Sequence, residues 1–135
     1  MSQTSAVEIA VQTLVDKKAE DIKVLDLSKL SSFTDFFIIA TVLSERHLKA
    51  LADQIEDALR PTGVRPLFRE GLSMSPSASG WAILDYGDMV IHLFLEQTRE
   101  LYNLEGFWEA APRVELPPSI FAPAASQVRA AHPRA

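Results

Sequence analysis

The alternation of apolar and polar positions divides the chain into a helix, two strands, a second helix, three more strands and a short closing helix. Val7, Ala10, Val11 and Leu14 recur at helical intervals, and Ser5 with Glu8 has the spacing of a capping box, so the chain is expected to open with a helix. Ile22 to Leu27 predicts a strand, bounded by Asp21 and by Ser28-Lys29. Asp35 to Val42 is β-branched and aromatic without alternation, which predicts a central strand covered on both faces. Leu48, Leu51, Ala52, Ile55, Ala58 and Leu59 form one continuous helical stripe, capped by Ser44 and stopped by Pro61, Thr62 and Gly63.

Val64 to Arg69 predicts a short strand, and the proline at 66 marks it as an edge. Gly71 to Gly80 has no period and reads as a Ser-rich loop. Trp81–Tyr86 and Met89–Leu95, joined by Gly87-Asp88, predict a hairpin with a tight primed turn. Glu96 to Tyr102 reads as a helix, with a further turn from Leu104 to Trp108. These elements compose a single α/β (α+β) domain over residues 1–111, with a mixed sheet of about five strands flanked by helices. If the strands beginning at Asp35 and Val64 are parallel, the capped helix is expected to link them by a right-handed crossover. From Pro112 the chain holds five of the eight prolines, and residues 112–135 are expected to be a disordered Pro/Ala-rich tail.

A two-residue turn at Gly87-Asp88 sets the hairpin register, with Asp85 facing Val90, Ile83 facing His92 and Trp81 facing Phe94. One face then carries Trp81, Ile83, Asp85, Val90, His92 and Phe94. The other, nearly pure core, carries Ala82, Leu84, Tyr86, Met89, Ile91 and Leu93. On the mixed face Asp85 and His92 sit diagonally, within hydrogen-bonding reach. Trp81 suits either a covered core position or an exposed anchor, and His92 between apolar neighbours suits a satisfied structural histidine. Asp85 must reach water or a partner. An aromatic ring and a carboxylate beside a turn together suit docking onto a basic protein.

Charge sharpens this expectation. The formal net charge is −5, and the tail from Pro112 is basic, so the body before it holds 17 acidic against 10 basic residues. An acidic body with no Lys/Arg cluster beyond Lys17-Lys18 disfavours direct nucleic-acid contact and favours a basic protein partner. There is no cysteine, so neither disulfides nor thiolate metal sites arise. Met1 to Ala6 lacks the regions of a secretory leader and no apolar run approaches a membrane span, so a cytoplasmic protein is expected.

Four ordered stretches resemble the ribosomal silencing factor (Iojap-like) family over roughly Ala6 to Glu109. They are Asp26 followed by Ser31-Ser32-Phe33-Thr34-Asp35-Phe36-Phe37-Ile38-Ile39-Ala40; Ser44-Glu45-Arg46-His47; Trp81 through Asp88 with His92-Leu93-Phe94; and Arg99 through Glu105 with Trp108. The resemblance implies a nucleotidyltransferase-like topology and no enzymatic activity. It implies a homodimer that binds a basic β-barrel protein of the large ribosomal subunit and sterically blocks the small subunit. The binding positions it carries over are Trp81, Asp85, Tyr86 and Asp88, with Arg99 and Tyr102 on the adjoining helix. The Gly71–Gly80 loop is longer and more Ser-rich than the family pattern, and the tail lies outside it.

The alternative is a metal-dependent nucleotidyltransferase-like enzyme, which needs two carboxylates at i and i+2 on one strand face. Here Asp35-Phe36-Phe37 puts a phenylalanine where the second carboxylate belongs, and the Ser31-Ser32 turn lacks glycine. His47, His92 and His132 lack ligand spacing, and no Gly-x-Ser-x-Gly elbow occurs. No catalytic, metal or cofactor residue is therefore expected.

Overall fold

The two most apolar runs of the chain lie side by side, as runs buried on both faces must. In a computed structural model that describes residues 3–72 and 79–115, β2 (Phe36–Val42) pairs in parallel with β5 (Met89–Leu95). β1 (Glu20–Asp26) runs antiparallel to β2 on one side. On the other side β4 (Trp81–Asp85) runs antiparallel to β5, and β3 (Phe68–Glu70) antiparallel to β4, giving the order β1-β2-β5-β4-β3. The expected single α+β domain with a five-stranded mixed sheet is what forms. β5 rather than β2 is the middle strand, because the hairpin inserts its second strand between β2 and the far edge.

The helices follow their sequence signals with one exception. α2 (Glu45–Leu59) is capped by Ser44, whose hydroxyl accepts from the His47 amide at 3.0 Å, and ends in a 3-10 turn closed by Gly63 at φ 84°. α1 (Gln3–Asp16) is already helical at Gln3, so Ser5 lies inside it and is not its N-cap. α3 (Glu96–Tyr102) and α4 (Leu104–Phe107) close the domain. The strands at Asp35 and Val64 are parallel but not neighbours: α2 carries the chain past β5 and β4 to the far edge. β3 shrinks to Phe68–Glu70, Pro66 preceding it.

α1 and α2 pack together over one sheet face and bury Val24, Ile38, Ala40, Ala82, Leu84, Ile91 and Leu93. The Leu48–Leu59 stripe is consumed in this layer, with Leu51, Ala52, Ile55 and Leu59 fully buried, so it is not available to a second copy of the chain. His47 locks the two helices: its Nδ1 accepts from the Leu43 amide at 2.9 Å, and its Nε2 donates to the Lys17 carbonyl at 2.7 Å. The opposite face holds Leu25, Leu27, Phe37, Ile39, Val90 and Phe94. The segment from Leu104 to Ala111 packs on this face, with Trp108 edge-on to Phe37 and Ala111 buried in the same cluster.

The domain does not end at residue 111. The Asp26 amide donates to the Pro112 carbonyl at 2.8 Å, Arg113 bridges Leu25 antiparallel, and the Val114 amide donates to the Val24 carbonyl at 2.8 Å. Residues 112–115 thus lie along the outer edge of β1. A composition rule cannot see this, because the pairing uses backbone groups alternating around a single proline. Residues 116–135 and 73–78, the bulk of the expected tail and loop, lie outside the described residues.

Candidate functional site

Toward β4 and β3 the second sheet face is less covered, its side chains partly exposed on β4 and exposed on β3. Its floor is set by the pleat: Trp81, Ile83 and Asp85 alternate to this side, and register places Phe68 beside Asp85 and Glu70 beside Ile83. Trp81, Ile83 and Asp85 are half-buried, whereas Phe68 is 49% and Tyr102 48% exposed. The Trp81 indole is held on three sides. It stacks on Phe94 with centroids 5.0 Å apart and planes inclined 27°, meets Tyr102 at 5.0 Å, and donates from Nε1 to His92 Nδ1 at 3.2 Å.

Behind this platform the aromatic packing continues into the core. His92 meets Phe37 edge-on at 4.5 Å, and Phe37 meets Trp108 edge-on at 5.8 Å. His92 is buried, and burial alone pushes its pKa down to about 4, so it is neutral at physiological pH. His92 and Asp85, diagonal on this face, do not bond to each other. Asp85 instead accepts from the Gly87 amide at 2.8 Å, bracing the hairpin turn, while the Trp81 indole takes the histidine.

The six positions singled out in the sequence separate into two groups. Trp81, Asp85 and Tyr102 share the β3–β4 face, and Asp88 is exposed at the adjoining turn, its backbone carbonyl accepting from the Asp35 and Phe36 amides. Tyr86 is on the other side of the sheet, 9% exposed beneath α2, because it is one residue out of step with Asp85. Burial, with Glu56 adding to it against Arg69, pushes its phenol up to about 12. Arg99 is 7% exposed and acts as a tie. It makes a fork of bonds to Glu105 at 2.8 and 3.0 Å, and donates to the Asp21 carbonyl at 2.7 Å and to Thr41 Oγ1 at 2.8 Å. Those hydrogen bonds and the guanidinium charge hold the Glu105 carboxyl below its usual range.

Two features escaped the sequence reading. Phe68 lies on the same sheet face, beside Asp85 at the far end of β4 from Trp81, on a strand of three residues too short to show alternation. Gly71, at φ 81°, passes so close to β4 that a Cβ there would lie 2.0 Å from the Trp81 carbonyl oxygen, so only glycine lets the loop meet Trp81. At the alternative catalytic position, Phe37 is buried among aromatic rings, and among the described residues no three His, Cys, Asp or Glu side chains converge to hold a metal.

These features define a single-domain α+β protein that presents one half-open, aromatic sheet face with carboxylates at its margin. The family model for the ribosomal silencing factor during starvation matches residues 1–135. The chain belongs to the ribosomal silencing factor family, whose members are ribosome-associated regulators of translation. It is 35% identical to ribosomal silencing factor RsfS of Bacillus subtilis over 86% of this chain and 95% of that protein. It is 39% identical to the chloroplastic protein Iojap of Arabidopsis thaliana over 83% of this chain and 44% of that protein. A crystal structure of a Chromobacterium violaceum protein superimposes with a TM-score of 0.74 at 34% identity, covering 95% of this chain and 99% of that one. The family match extends beyond the Ala6–Glu109 span of the four motifs.

Proposed function

We propose that this protein represses translation by docking on a basic β-barrel protein of the large ribosomal subunit through its β3–β4 face, so that its bulk prevents the small subunit from joining. The observation that carries the reading is the Trp81–Tyr102 aromatic pair on a sheet face that also carries Phe68, Asp85 and Glu70, with Asp88 at the adjoining turn. Rigid aromatic anchors ringed by carboxylates fit a basic protein surface, as interface hot spots centre on aromatic residues and complementary charge guides docking. The acidic body, with 17 acidic residues against 10 basic before Pro112, points the same way. A mouse relative, 34% identical over 76% of this chain, is named for mitochondrial assembly of the ribosomal large subunit, which favours a large-subunit partner.

The mechanism needs affinity and volume, with no bond made or broken. A contact of about 800 Å² on each partner is ample for stable docking. Action in the cytoplasm, where ribosomal subunits meet, follows from this reading. The family resemblance supports a homodimer, and the most exposed apolar side chains of α3 and α4, Leu101 and Phe107, are free within the chain to take part. Solution molar mass by light scattering tests that point.

Co-sedimentation with isolated large subunits at moderate salt tests the docking. The wild-type chain should travel with the subunit, and Asp85→Arg should not. A wild-type chain left in the supernatant overturns the reading.

A further inference from the structure

The indole of tryptophan is a donor only, so the 3.2 Å contact from Trp81 Nε1 makes His92 Nδ1 an acceptor and puts the single proton of the neutral ring on Nε2. That Nε2–H is buried with no hydrogen-bond partner among the described residues. Its surroundings are apolar or aromatic: Ile39 and Ile83 flank it in register, and Phe37 and Phe94 contact its ring. An orphan donor in such a place costs stability that a phenylalanine or leucine would not. What the imidazole supplies and an apolar side chain cannot is the acceptor toward Trp81.

That bond ends on a surface group. His92 is 5% exposed, whereas Trp81 is partly exposed on the β3–β4 face. Phe94 fixes the plane of the indole and Tyr102 covers one flank, yet neither distinguishes the polar edge of the ring from its apolar edge. Among the described residues, His92 Nδ1 is the group that does so. We propose that His92 is a positioning residue for docking, holding the Trp81 indole in one orientation so that the ribosomal partner meets a preformed anchor. The proposal rests on the reading of Trp81 as part of the docking face. An anchor held before contact loses less side-chain freedom on binding, and the benefit appears as affinity.

The full chain labelled with nitrogen-15 gives the first test, with no substitution. Scalar coupling between the Trp81 indole nitrogen and His92 Nδ1, with the imidazole as the Nε2–H tautomer, is the expected result. Absence of the coupling, or the other tautomer, overturns the proposal. The second test is co-sedimentation with isolated large ribosomal subunits. His92→Phe keeps a ring but removes the acceptor and should weaken docking about tenfold, while His92→Asn, whose amide oxygen takes the place of Nδ1, should stay within about threefold of wild type. Wild-type docking by His92→Phe, or equal loss in both variants with native circular dichroism, overturns it. Trp81→Ala separates the two readings. If it abolishes docking while His92→Phe does not alter it, only the positioning role falls; if it docks like wild type, the docking face falls and the positioning role with it.

Discussion

The Tyr102 ring lies against the Trp81 indole at a centroid distance of 5.0 Å, joining the last turn of α3 to the outer half of the sheet. Tyr102 is nearly half exposed, so the contact contributes about 1 kcal/mol to folding, the scale of an aromatic pair. Its larger consequence is the shape of the platform. Tyr102→Ala is expected to lower the thermal midpoint by only a few degrees while reducing co-sedimentation with large subunits about tenfold or more, the loss of a hot-spot aromatic. A variant with unchanged docking would remove Tyr102 from the interface.

Arg99 should behave in the opposite manner. Its guanidinium bonds to Glu105, to the Asp21 carbonyl and to Thr41, so it fastens α3 and α4 to the start of β1 and the end of β2. Arg99→Met leaves those acceptors unpaired, and urea denaturation should show a loss of about 2–4 kcal/mol. At a temperature where both proteins are folded, docking per folded molecule should match wild type. Full stability with weakened docking would instead make Arg99 a contact residue.

Which of these roles could be read from the sequence follows from the periods involved. The hairpin was legible to the residue, because a two-residue turn and strict alternation leave one register: Trp81 opposite Phe94, Ile83 opposite His92 and Asp85 opposite Val90. The same alternation put Tyr86 on the core side, and it is buried there in the isolated chain, although the family resemblance names it among the binding positions. Arg99 entered only through the family resemblance, and its burial is not legible from the short helix it stands on. Its burial depends on Asp21, which at φ 48° sits in an irregularity of β1 and turns its carbonyl toward the guanidinium. No local pattern announces a contact between residues so far apart in the chain. The strand order was equally hidden, since pairing of β2 with β5 is decided by layer packing and not by either segment alone.

The segment from Pro112 to Glu115 yields a third prediction. By pairing with Val24 and Asp26 it occupies the outer edge of β1, an edge that would otherwise offer free backbone groups to another chain. A chain ending at residue 115 retains these bonds and one ending at 111 does not. The shorter chain should be less stable by about 1–3 kcal/mol, the scale of two hydrogen bonds and one partly buried valine. Amide exchange at Asp26 should accelerate, and the shorter chain should self-associate at high concentration. Equal exchange at Asp26 in the two chains would show that the pairing is not maintained in solution.

The pH dependence of stability separates His92 from the carboxylates. His92 is lowered to about 4 by burial among uncharged neighbours, while an unfolded histidine titrates near 6.5. Between those values the unfolded chain binds the extra proton and the folded chain does not, so stability rises with pH across this window. It is fully present above about 6.5 and falls as the pH drops toward 4, for a difference of a few kcal/mol. Glu105 is lowered chiefly by its hydrogen bonds from Arg99, against some opposition from burial. Its contribution is complete above the unfolded carboxylate value of about 4.5 and disappears only as the pH falls through the folded value below that. Denaturant titrations at a series of pH values should therefore show two descents for the wild type. His92→Asn should flatten the upper one, between pH 6.5 and 4, and leave the lower one intact, whereas Glu105→Gln should leave the upper one intact and make the lower one, which Asp21, Asp26 and Asp53 share, shallower. A wild-type curve flat from pH 6.5 to 4 would mean that His92 is solvated, and the buried indole–imidazole contact could not then exist as described.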